Sequence, residues 1–112
     1  MADGKVIRVT MFKIPSKADQ ETILANYLTL SKTQLKDGKP YILSLEAGVA
    51  EDDPRSQGFT IVAKSVFKNM DDMKYYDTEC AAHEKLKVGN KALGVEGLMT
   101  VFYSPSVVAG SA

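Results

Sequence analysis

The stretch GFTIVAKSVFKNMDDMKYYDTECAAH, Gly58–His83, decides the fold. Its first ten residues alternate, with Phe59, Ile61, Ala63, Ser65 and Phe67 facing one way and Thr60, Val62, Lys64 and Val66 the other, which predicts a strand from Gly58 to Phe67. Asn69 then offers a cap for a helix start. Beyond it, Met70, Met73, Tyr76, Cys80 and His83 recur at steps of three and four, so one helical face carries all five. The period changes from two to 3.6 within a few residues, and the apolar face ends in the single histidine of the chain. The spacing predicts one helix from Met70 to about Gly89, with Tyr76 and His83 roughly 10 Å apart along it. At that separation they do not hydrogen-bond directly, but both can reach one ligand.

Working outward, Lys5 to Ile14 alternate and Pro15 closes a first strand. Ser16 caps a helix expected from Lys17 to Leu35 or Lys36, with Ile23, Leu24, Tyr27, Leu28, Leu30 and Leu35 on its apolar face. Asp37, Gly38, Lys39 and Pro40 break it. Tyr41 to Ala50 reads as a second strand, Glu51 to Gln57 as a loop, and Leu98 to Tyr103 as a fourth strand. The order strand, helix, strand, strand, helix, strand predicts an α+β, ferredoxin-like βαββαβ domain with a four-stranded antiparallel sheet. Residues 1–105 form this single domain and 106–112 a flexible tail.

Right-handed crossovers put both helices on one sheet face. Ile7, Val9, Met11, Val62, Val66, Met99 and Val101 then line the other, and an apolar face of that size calls for a second copy packed face to face. Fourteen basic and fourteen acidic residues cancel without a basic cluster, so neither nucleic acid nor an anionic membrane is an expected partner. One cysteine gives no disulfide framework, no apolar leader follows Met1, and no apolar run approaches the ~20 residues of a membrane helix. The expected address is cytoplasmic.

Val-Thr-Met-Phe-Lys at Val9–Lys13, Gly58-Phe59-Thr60, and Tyr-Tyr-Asp-Thr-Glu-Cys-Ala-Ala-His at Tyr75–His83 resemble the stress-responsive dimeric α/β barrel family, abbreviated Dabb, and most closely its fungal branch. The resemblance spans roughly Val6 to Tyr103 and implies a homodimer joined through the sheet face. A plant polyketide cyclase of this family performs a cofactor-free aldol cyclisation with a tyrosine and a histidine on its second helix. A gapless match places that tyrosine on Tyr76 and that histidine on Ala82; His83 corresponds if the helix holds an extra residue, as a π-bulge would supply. Arg8 stands where the family's first-strand histidine is expected, Ile61 where the cyclase has its third-strand histidine, and Glu79-Cys80 in place of His-Pro.

The resemblance and the strand faces together give His83 as base and Tyr76 as donor to a developing enolate. Arg8, Thr10, Phe12, Tyr27, Ile61, Ala63, Met73 and Cys80 are expected to bind a small apolar or phenolic ligand. No cofactor is expected, since the chain has neither a Gly-x-Gly-x-x-Gly nor a phosphate loop, and no metal, since one His and one Cys match no ligand spacing. The competing reading keeps His83 as a satisfied helix residue paired with Glu79 and Arg8 in an ion pair with Glu46, Asp77 or Glu96. The protein is then a non-catalytic stress protein whose property is the barrel itself, and the sequence leaves open whether it is an enzyme.

Overall fold

The computed structural model describes residues 4–110. Strands β1 (Val6–Lys13), β2 (Ser44–Val49), β3 (Ile61–Phe67) and β4 (Gly97–Tyr103) form one antiparallel sheet in the order β2-β3-β1-β4. Helices α1 (Lys17–Thr33), α2 (Met70–Thr78) and α3 (Ala81–Asn90) supply the connections, giving the ferredoxin-like α+β architecture. The register pairs Thr10 with Ala63 on one side and Thr100 on the other, so the face bearing Arg8, Thr10 and Phe12 also bears Ile61, Ala63 and Ser65. This is the face the helices cover. Its core contains Val6, Phe12, Ile61 and Phe67 from the sheet with Ile23, Tyr27, Leu30, Met73, Tyr76 and Leu86 from the helices.

On the opposite face no α-helix among the described residues covers the sheet; only the loop at residues 55–57 borders its Met11, Val62 and Met99 corner. Ile7, Val9, Met11, Val62 and Val66 are half-buried by their neighbours, while Met99, Val101 and Tyr103 on the edge strand stay 47–49% exposed. The strand faces therefore follow the sequence alternation without a bulge.

Three boundaries differ from the expected ones by two residues or more. α1 stops at Thr33 because Gln34 turns extended, and its side-chain Oε1 accepts the backbone N–H groups of Tyr41 and Ile42. That capture also delays β2 to Ser44. Between them, Asp37 (φ 54°) and Gly38 (φ 78°) form a tight turn closed by paired hydrogen bonds between Lys36 and Lys39. The buried Asp72 carboxylate holds Lys36 and fixes this turn against α2. β3 starts three residues later than expected, after Gln57 and Gly58 have turned through positive φ.

The expected long second helix is two helices. In a continuous helix the Cys80 N–H would bond to the Tyr76 carbonyl; here Glu79 and Cys80 both donate to the Tyr75 carbonyl, at 2.8 and 2.9 Å. Cys80 is extended, and its carbonyl accepts the Glu84 N–H that opens α3. The i to i−5 bond supplies the extra residue in the form of a break rather than an internal bulge. Of the tail, residues 106–110 are irregular and exposed; Met1–Asp3 and Ser111–Ala112, at the two ends of the expected domain and tail, lie outside the described residues.

Candidate functional site

The break between α2 and α3 and the placement of His83 are one event. The Tyr76 carbonyl released by the break is taken by His83 Nδ1 at 2.7 Å, and the imidazole lies flat on the Tyr76 ring, with centroids 3.7 Å apart and planes at 12°. The expected separation of roughly 10 Å between these residues is thereby overturned. A carbonyl only accepts, so Nδ1 carries the proton and Nε2 keeps the lone pair of the neutral ring. His83 is 4% exposed. Burial pushes its pKa down to about 4; the Tyr76 carbonyl and Asp77 pull it up, while Arg8 and Lys87 push it further down. Near neutrality His83 is an uncharged imidazole. Its partner is the Tyr76 carbonyl rather than Glu79.

In front of His83 lies a pocket of about 260 Å³ between α3 and the β1–β4 side of the sheet. β1 contributes Arg8, Thr10 and Phe12, α1 contributes Tyr27, and α3 contributes His83, Leu86, Lys87 and Asn90. Lys91, Val95, Leu98 and Thr100 complete the wall. The Thr10 and Thr100 hydroxyls hydrogen-bond at 2.9 Å across the strand pair. Tyr27 packs edge-on to Phe12, and burial pushes its phenol up to about 12, with Arg8 opposing.

Arg8 is charged on an otherwise covered face, and three contacts hold it. One terminal nitrogen lies 3.0 Å from Asp77, the other donates to Thr10 at 2.9 Å, and the guanidinium sits 5.1 Å above the Tyr76 ring centroid while also lining the pocket. Of the three acids expected as partners, Asp77 is the one bonded.

Of the expected site residues, the pocket brings together His83, Arg8, Thr10, Phe12 and Tyr27. Tyr76 is not on the wall. It is buried beneath the imidazole, its hydroxyl has no hydrogen-bond partner among the described residues, and burial raises its pKa. Ile61, Ala63, Met73 and Cys80 lie in the closed core, because the pocket opens toward β4 whereas these residues pack beneath the helices on the β3 side. The sequence reading missed Leu86, Lys87 and Asn90, which follow His83 at three, four and seven residues. It also missed Leu98 and Thr100, which face Phe12 and Thr10 in the β1–β4 register. Among the described residues no group of three or more His, Cys, Asp or Glu could hold a metal ion, and no helix is long and apolar enough to cross a membrane.

A split βαββαβ domain with an open apolar sheet face and a pocket under its last helix defines a ferredoxin-like α+β domain. The chain belongs to the stress-responsive A/B barrel domain family, whose pattern matches residues 6–94. The Fusaristatin A biosynthesis cluster protein of the fungus Gibberella zeae is 45% identical over 107 residues, covering 96% of this chain and 78% of that one. Hydroxynitrile lyase from Passiflora edulis has the same fold, with TM-score 0.75 at 15% identity over 96% of this chain and 99% of its own. So has a dimeric protein of ferredoxin-like fold from Bacteroides fragilis, with TM-score 0.68 at 20% identity over 89% and 95%.

Proposed function

We propose that the protein is a homodimer, joined through its open sheet face, that binds a small, mostly apolar, oxygenated molecule in the pocket of each subunit, with His83 as the acid/base group. The observation that carries this reading is the fixed imidazole: Nδ1 is tied to the Tyr76 carbonyl, the ring is stacked, and Nε2 is the nitrogen left to meet a ligand. Arg8 and the Thr10–Thr100 pair supply hydrogen bonds for the ligand's oxygens, and Phe12, Tyr27, Leu86 and Leu98 receive its apolar body. Tyr76 acts as the platform that positions His83 rather than as a donor to the reacting atoms. The relative named for a biosynthesis cluster and the lyase of the same fold support a small-molecule role, and the Bacteroides fragilis protein supports the dimer.

The chemistry within reach is cofactor-free proton transfer at an acidic carbon or phenol, of the polyketide-cyclase type that the resemblance implies. The test is deuterium exchange at the enolisable carbon of acetylacetone in D2O. Wild-type protein is expected to accelerate it, and His83→Gln to lose at least about tenfold of that acceleration while keeping its circular dichroism and melting curve. Wild-type protein that leaves the exchange rate unchanged would remove the acid/base assignment and favour the reading as a stress protein without catalysis. Loss of folding in both His83→Gln and His83→Ala would make the histidine structural.

A further inference from the structure

We propose that the pocket selects a small organic carboxylate with an apolar body, its charged end seated between Arg8 and His83. This narrows the pocket reading above to one charge class and rests on it. Arg8, Lys87 and Lys91 put three cations on the wall, and none of the twelve lining residues is acidic. The two carboxylates paired with wall cations stand outside the wall, Asp77 against Arg8 at 3.0 Å and Glu84 against Lys87 at 3.4 Å. Asp77 and Thr10 take only part of the Arg8 donor set, and the buried Nε has no partner among the described residues. The Tyr76 ring and Thr10 already fix the guanidinium, so a carboxylate meets a pre-positioned fork and little side-chain entropy is lost on binding.

The same charge prepares the histidine. The groups facing the imidazole are Arg8 from β1, Tyr76 and Asp77 from α2, and Lys87 from α3 itself; burial chiefly keeps the ring neutral, and both cations add to it. An anion placed beside Arg8 offsets that field and favours the imidazolium, so the ligand that fits the site also makes His83 a stronger base. A neutral ligand lacks this effect. A cationic one opposes it.

His83 is the sole histidine, so its imidazole resonances report on the site alone. They are followed by NMR at pH 7 against 3-phenylpropanoate, 3-phenylpropan-1-ol and 3-phenylpropylamine, three ligands of one shape and three charges. The carboxylate is expected to bind at least about tenfold more tightly than the alcohol and the amine most weakly, and the carboxylate alone is expected to raise the His83 titration midpoint. Equal affinity for acid and alcohol, or a preference for the amine, overturns the charge assignment and leaves the pocket reading standing. Resonances that respond to none of the three overturn both. Arg8→Met is expected to narrow the acid preference to below about threefold, whereas Lys32→Ala with Lys85→Ala, two changes at exposed positions off the pocket wall, keeps it. The full preference in Arg8→Met, or its loss in the lysine pair, would overturn the seat between Arg8 and His83.

Discussion

Val101→Asp is expected to leave the chain folded and monomeric. Val101 lies on β4 opposite Val9 of β1, on the face no helix covers, and is 49% exposed with Met99 and Tyr103 beside it on the same side. In an isolated subunit the new carboxylate stays in water, so the fold should change by no more than about 0.5 kcal/mol. A face-to-face dimer is isologous, and one substitution buries two carboxylates against apolar side chains. At a few kcal/mol for each, dissociation should strengthen by more than about a thousandfold. Light scattering at micromolar concentration should give twice the chain mass for wild type and one chain mass for the variant. Val88→Asp on the outer side of α3, where Val88 is 56% exposed, is the control and should keep the dimer mass. A variant that retained the double mass would mean that the open face is not the interface.

The same face shows why the sheet was legible in the sequence. Alternation at Val6–Lys13 and Ile61–Phe67 assigns each side chain to a face from the period alone, and no bulge shifts it. The helices were legible where a local signal is strong: Ser16 and Asn69 cap α1 and α2 as their types demand. The ends of α1 and β2 were not, because the deciding contact is a glutamine side chain reaching seven and eight residues ahead. The break at Cys80 was hidden for a similar reason. Cys80 and Glu79 are no helix breakers, and the stripe through Tyr76 and His83 is compatible with a continuous helix; the break depends on an imidazole taking a backbone carbonyl. For the site, Arg8, Thr10 and Phe12 followed from strand parity, but which stretch of a covered face stays unfilled depends on where α3 lies. Hence Ile61, Ala63, Met73 and Cys80, on the right face, fall in the core.

His83 is expected to make stability depend steeply on mildly acidic pH. Its folded pKa of about 4 lies below the ordinary value of 6.5, so between those values the unfolded chain binds a proton that the native state does not. Unfolding free energy therefore rises with pH through this window, and native stability is lost as pH falls from about 6.5 to about 4. The difference between those values corresponds to about 3 kcal/mol, a large part of the stability of a small domain. Protonation has a specific structural target. Nδ1 already donates to Tyr76, so the added proton goes to Nε2 and puts a positive charge next to Arg8 and Lys87 in a largely buried position, with Asp77 as the acid that partly offsets it. The relevant measurement is the difference between urea unfolding curves of wild type and His83→Gln from pH 4 to 7.5, since the difference cancels the carboxylates common to both. Wild type should gain about 3 kcal/mol relative to the variant between the ends of that range, with the gain complete near pH 6.5. A flat difference, with the His83 resonance titrating near 6.5, would mean that the imidazole is free in water and that the stacked, carbonyl-bound arrangement on which the site depends does not persist.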